Sequence, residues 1–98
     1  MNLTLTERIA LLGILPAEGT YANMKTVRVL REMLAFDSDI EAGKVEVQGN
    51  NLRWKENYET EFDLSGGAIA LIHDILSKLD EEAKVTDHLL TLCDKFLD

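Results

Sequence analysis

The chain has 98 residues, 46% of them hydrophobic and 29% charged, with a formal net charge of −8. That length predicts one domain with a single core, and that balance excludes a disordered or low-complexity chain. The acidic excess disfavours nucleic acid and anionic membranes, because binders of phosphate usually carry basic excess; it suits a basic protein surface.

The charge is unevenly placed. Residues 1–36 hold four basic and three acidic side chains, whereas residues 37–98 hold six basic and fifteen acidic ones. Cys93 is the single cysteine, so no intrachain disulfide forms and a reducing, cytoplasmic setting is expected. The apolar run from Ile9 to Leu15 is interrupted by Gly13 and preceded by Glu7 and Arg8. It is too short for a membrane span, which needs about 20 apolar residues, and lacks the basic flank of a signal peptide.

"TLTERIALLG" reads as a first helix. Thr4 and Glu7 have capping-box spacing. Leu5, Ile9 and Leu12 share a face, Gly13 suits a left-handed stop and Pro16 bars continuation. Ile14 and Leu15 are expected to turn inward. A second helix spans about 21 to 34. At roughly 100° per residue, Val27, Leu30 and Leu34 form one apolar edge and Val29, Met33 and Phe36 the other, so the helix is expected at the centre of the core. Lys25, Arg28, Arg31 and Glu32 share its opposite face with Tyr21.

"FDSDIEAG" predicts a short helical turn, capped by Asp37 or Ser38 and stopped at Gly43. "KVEVQGNNLRWKE" then switches to a period of two. Val45 and Val47 alternate with Lys44 and Glu46, and Leu52 and Trp54 alternate with Arg53 and Lys55, around a "QGNN" turn: a β-hairpin. "NYETEFDLS" alternates Tyr58, Thr60, Phe62 and Leu64 with acidic residues, the pattern of a third strand in the same small sheet. Ser65 is placed to cap a third long helix. Its apolar residues Ala68, Ile69, Ile72, Ile75, Leu76 and Leu79 recur at threes and fours, and Gly66 and Gly67 suggest close packing against the sheet. Thr86 is placed to cap a last helix, "DHLLTLCDKFL", with Val85 and Leu90 at hydrophobic-staple spacing and an apolar face containing Leu89, Leu92, Cys93, Phe96 and Leu97. The last two helices are expected to pair. The fold class is therefore α+β: four helices plus a short helical turn packed on a small antiparallel sheet of two or three strands, in the order ααββ(β)αα.

No chemistry-bearing constellation emerges, so no enzyme activity and no cofactor are expected. His73 and His88 lack a second ligand at the three- or four-residue spacing that helical metal pairs need, so no metal site is expected. Cys93, flanked by leucines on an apolar face, reads as a buried, inert thiol. Glu59, Glu61 and Asp63 alternate along one strand and read as a solvated acidic row rather than an acid–base pair, which needs a buried, perturbed carboxyl. Neither a P-loop nor a Rossmann glycine pattern nor an EF-hand loop occurs. Trp54 is read as core packing, with a role as an interface anchor as the alternative.

The candidate binding residues are the basic face Lys25, Arg28 and Arg31, the hairpin Trp54, and the acidic row Glu59, Glu61 and Asp63. They favour a protein partner or self-association through opposite charges. A winged-helix nucleic-acid binder that uses the 21–35 helix is the alternative, since a hairpin follows two helices. Against it stand the long turn from Gly13 to Thr20 and eight acidic residues against Lys44, Arg53 and Lys55 in residues 37–64.

The stretch "ERIALLGILPAEGTYANMKTVRVLREML", the acidic turn, "LRWKE" and "KLDEEAKVTDHLLTLCDKF" together resemble small uncharacterised proteins encoded by bacteriophages and prophages. The resemblance implies a bacterial or phage cytoplasmic setting and action through protein binding. It brings no site residues.

Overall fold

Asn2–Thr4 form a strand, β1, before the first helix begins. A computed structural model describes residues 1–98. β1 pairs antiparallel with β4 (Glu59–Glu61), in the register Asn2↔Glu61, Leu3↔Thr60 and Thr4↔Glu59. Two bonds extend the ladder: the Met1 amino group donates to Phe62 O (2.9 Å) and the Phe62 amide to Met1 O (2.8 Å). The expected third strand therefore exists but does not join the hairpin. β2 (Val45–Gln48) and β3 (Asn51–Trp54) form a separate two-stranded sheet, turned at Gly49 with φ +60°. Glycine adopts that left-handed φ without steric cost.

Helix α1 (Leu5–Ile14) starts with the capping box that Thr4 and Glu7 predict: Thr4 Oγ1 accepts from the Glu7 amide (3.2 Å) and Glu7 Oε1 from the Thr4 amide (2.9 Å). The helix continues through Gly13, which is not left-handed. It ends where Leu15 becomes extended, the conformation the residue before a proline favours. Its buried face also differs from the expected one. Leu5, Arg8 and Leu11 are buried with Glu7, and Ile9 is left outside. α2 (Tyr21–Leu34) buries Val27, Leu30 and Leu34. α3 (Asp37–Glu41) has no side-chain cap, so neither Asp37 nor Ser38 fills that role, and it closes at Gly43. There the Lys44 amide bonds Asp39 O and the Gly43 amide bonds Ile40 O, a Schellman motif with Gly43 at φ +75°.

Ser65 caps α4 (Gly66–Glu81), its Oγ accepting from the Ala68 amide at 3.1 Å. The helix ends in the same Schellman bonding, Lys84 amide to Leu79 O and Ala83 amide to Asp80 O. Here an alanine, Ala83, takes the left-handed position at φ +56°. A 3₁₀ turn (Asp87–Leu89) leads into α5 (Leu90–Phe96); Thr86 makes no cap bond, and Leu90 stays half exposed instead of stapling to Val85.

The helices close a ring: α1 packs on α2, α2 on α4, α4 on α5, and α5 on α1. Inside it lies the main core, built from Leu3, Leu11, Val27, Leu30, Leu34, Phe62, Ile72, Leu76, Leu92 and others. A second, smaller cluster of Leu5, Phe36 and Val45 sits under the hairpin, with Leu52, Trp54 and Tyr58 packed against it. The α+β class holds, with two small antiparallel sheets in place of one.

Two buried charges join these parts. Arg8 Nη2 donates to Leu34 O (3.1 Å), Ala35 O (2.7 Å) and Asp39 Oδ2 (3.0 Å), and its guanidinium lies 4.3 Å from the ring centre of Phe36 and 5.3 Å from that of Phe62. Tyr58 donates its hydroxyl to the other Asp39 oxygen. Glu7 accepts from Lys95 Nζ (2.6 Å), which also donates to Asn2 O (2.7 Å), so that α5 is tied to α1 and β1. Burial alone would raise both carboxyls. The bonds from Tyr58 and Arg8 outweigh it for Asp39, and those from Lys95 and the Thr4 amide outweigh it for Glu7, so both lie below their ordinary values.

Removing one member of a buried ion pair costs about 3–5 kcal/mol. Arg8→Met also deprives two carbonyls at the end of α2 of their donor, whereas Asp39→Ala leaves those bonds in place. Urea denaturation should therefore show Arg8→Met losing an amount in that range and more than Asp39→Ala loses. A loss of under about 1 kcal/mol, the size of a surface substitution, would contradict the buried role. Glu7 and Asp39 bind protons less readily when folded than when unfolded. Their contribution is complete above their ordinary values of 4.5 and 3.8, and is lost as pH falls through the lower folded values. The urea midpoint should drop between about pH 5 and pH 3, and drop less steeply in a Glu7→Gln/Asp39→Asn variant; equal slopes would count against these pairs.

Candidate functional site

The sequence assigns Val29 to the core, but the structure leaves it 53% exposed. The reason lies in its neighbour. The start of α4 meets α2 with the small residues Ser65 and Ala68, while a Cβ added at Gly66 or Gly67 would meet nothing within 4 Å. These glycines therefore do not serve close packing against a sheet. A groove of about 270 Å³ lies between α2 and the start of α4, lined by Val29, Leu30, Met33 and Ala68, with Lys25 on the α2 side and Asp63 where the chain enters α4. The residues of the α4 entry that line it beside the Val29–Met33 edge of α2 are the small Ser65 and Ala68.

α2 presents its cations from a fixed scaffold. Thr20 caps it, accepting from the Asn23 amide at 3.1 Å. Arg31 donates to Pro16 O at 3.1 Å, which ties that guanidinium to the preceding loop, and the Lys25 ammonium lies 4.9 Å from the centre of the Tyr21 ring. Arg28 is exposed. The ion pairs of the chain are Arg8–Asp39, Lys95–Glu7, Lys84–Glu82 and, when His73 is charged, His73–Asp74. They involve none of Lys25, Arg28, Arg31, Glu59, Glu61 or Asp63.

The acidic row behaves as its alternation predicts. Glu59, Glu61 and Asp63 are exposed, while Thr60, Phe62 and Leu64 turn inward to differing degrees. Asp63 reaches the α2–α4 groove, and Glu59 borders a second depression of about 740 Å³ beside the hairpin. Trp54 and Tyr58 form the apolar part of that second depression. The Lys44 ammonium lies 5.1 Å from the Tyr58 ring centre, and Lys44, Arg53 and Lys55 are offset by Glu46, Glu56 and Glu59. Equal numbers of opposite charges give this cavity no net sign. Trp54 is half-buried: one part rests on the Leu5–Phe36–Val45 cluster, and the rest forms cavity wall. Of the seven candidate residues, the structure thus brings Lys25 together with Asp63 and Trp54 together with Glu59. Arg28 and Glu61 stand alone on the surface, and Arg31 is held by the loop.

The remaining reactive groups are quiet. Cys93 is half-buried rather than fully buried, and burial, followed by the nearby Asp80 and Asp94 charges, pushes its thiol up, away from the reactive thiolate. His73 and His88 are both exposed, and no three His, Cys, Asp or Glu residues are grouped to hold a metal ion. Burial and the hydrogen bond to Asp39 raise the Tyr58 hydroxyl, which keeps it a donor. The polar groups that sequence reasoning passed over are Arg8 and, beyond its capping-box role, the buried pairing of Glu7 with Lys95. The available signal was position: Arg8 lies three residues after Leu5 and three before Leu11, on the face that packs inward.

Comparison with protein-family models, curated proteins and solved structures found no match to this chain.

Because Val29 contributes little to the core, Val29→Ser should shift the unfolding free energy by no more than about 0.5 kcal/mol, whereas Val27→Ser, at a fully buried position, should cost several times as much. Equal losses at the two positions, measured by urea denaturation, would show that Val29 is a core residue after all.

Proposed function

We propose that this chain is a non-catalytic protein-interaction module that binds another protein or a second copy of itself through the α2–α4 groove. The observation that carries the reading is Val29, a half-exposed valine in an apolar groove flanked by a cation and a carboxylate without intrachain ion-pair partners. An apolar centre with a charged rim is the anatomy of a protein interface. Two further features support it. The carboxyls of Glu7 and Asp39 are committed to structural bonds, Glu7 to Lys95 and Thr4, Asp39 to Arg8 and Tyr58. No helix is long and apolar enough to cross a membrane. The resemblance to phage and prophage proteins adds a bacterial, cytoplasmic setting to the proposal.

The nucleic-acid reading ranks second. In a winged helix the recognition helix precedes the hairpin. Here that position is held by α3, a five-residue helix that carries Asp37, Asp39 and Glu41. The basic face of α2 is also reduced, since Arg31 is spent on the Pro16 carbonyl.

A photo-crosslinking amino acid placed at position 29 tests the proposal in the intact chain in a bacterial cell. Irradiation should yield a discrete protein adduct from position 29 and none from position 84, just past the far end of α4. Absence of any protein adduct at position 29, or equal labelling at both positions, would overturn it.

A further inference from the structure

We infer that the partner at the α2–α4 groove is a second copy of this chain, related by a two-fold axis that passes beside Val29 and pairs Lys25 of each copy with Asp63 of the other. The inference rests on the proposal that the groove is a protein-binding surface, and adds the identity of what fills it.

The order of charges across the groove selects the occupant. Lys25 lies on one side and Asp63 on the other, both exposed and both without an ion-pair partner in the chain. A uniformly basic partner would be drawn to Asp63 and the neighbouring Glu61, and repelled by Lys25 and Arg28. A uniformly acidic partner would meet the reverse. The surface that fits carries both signs in antiparallel order across an apolar strip, and the chain itself carries such a surface. A two-fold interface is isologous: if residue i meets residue j, then j meets i. One Lys25–Asp63 match is therefore made twice, and the exposed Val29 of each copy is covered by the apolar lining of the other. The net charge of −8 opposes association between copies, so the ordered local pairing and the apolar strip have to overcome a general repulsion. Charge variants can tell that local pairing from the general repulsion.

The decisive experiment is sedimentation velocity on the full chain at micromolar to millimolar concentration, with Lys25→Asp, Asp63→Lys and an equimolar mixture of the two. Both positions are exposed, and circular dichroism checks that the fold is kept. The wild type should pass from monomer to dimer with concentration. Each single variant places like charges opposite each other twice and should dimerise about tenfold more weakly or worse. In the mixture, the aspartate introduced in one chain faces the lysine introduced in the other, and the native Lys25 and Asp63 that remain face each other. The mixed dimer should therefore form about as well as the wild type. Asp63→Lys is the critical arm, because it makes the chain less acidic by two charges. If general repulsion alone governed association, this variant would dimerise more tightly than the wild type, and the inference would fall. It falls equally if the wild type stays monomeric throughout, or if mixing restores nothing. A monomer whose position 29 crosslinks to a different protein would overturn this inference and leave the interaction-module proposal standing.

Discussion

The Arg8 guanidinium, buried at the C-terminal end of α2, is the group on which the packing of both core clusters depends. It lies between Phe36, a member of the smaller cluster under the hairpin, and Phe62, a member of the main core inside the helical ring. Nη2 alone donates to two α2-end carbonyls and to Asp39, while Nε and Nη1 make no hydrogen bond. Taking an unpaired cation out of water is costly. This one is held by an ion pair, by carbonyls at the negative end of a helix and by aromatic rings that attract cations. An apolar residue in its place would pack between the rings but fix neither α3 nor the end of α2.

The adjacent residue does the corresponding work on another side of α1. Glu7 closes the capping box and receives Lys95, so α1, β1 and α5 meet at one carboxylate. Asn57 completes the arrangement, since Thr6 and Asn57 exchange hydrogen bonds of 3.1 and 3.0 Å that bring the loop before β4 onto the first turn of α1. With one end of α2 fixed by Arg8, and the other by the Thr20 cap, α2 is a stiff wall. Its opposite number at the groove is the start of α4, whose lining residues are the small Ser65 and Ala68. The groove thus lies between a helix held at both ends and small residues on the facing side.

What could be read from the sequence follows the range of the interactions involved. The Thr4–Glu7 and Ser65 caps, the hairpin around Gly49 and the spans of α2 and α4 depend on residues a few positions apart, and local spacing reports them. β1 is a short strand that pairs with one far along the chain, with no periodicity of its own to announce it. Arg8 was hidden by the rule that charges face water, and its partner Asp39 lies in a turn whose acidic residues all look alike in the sequence. Val29 was missed for a different reason. Its place on the apolar arc was visible, but whether an arc is covered depends on the bulk of the residues opposite, here the small Ser65 and Ala68, and their meeting with α2 is a tertiary fact. All seven candidate binding residues lie on the surface or at its boundary. Their division between groove and hairpin cavity follows from the path of β4, which runs from one to the other.

If the Val29 edge of α2 is an interface, the same edge of a second copy should lie against it. The most direct measurement is an isotope-filtered nuclear Overhauser experiment on an equal mixture of labelled and unlabelled chain at a concentration where dimer is present. Intermolecular signals are expected from the Val29 methyl groups to Met33, Ala68 or Val29 of the other copy. Intermolecular signals confined to other exposed apolar residues, such as Val47 or Leu90, would contradict that arrangement.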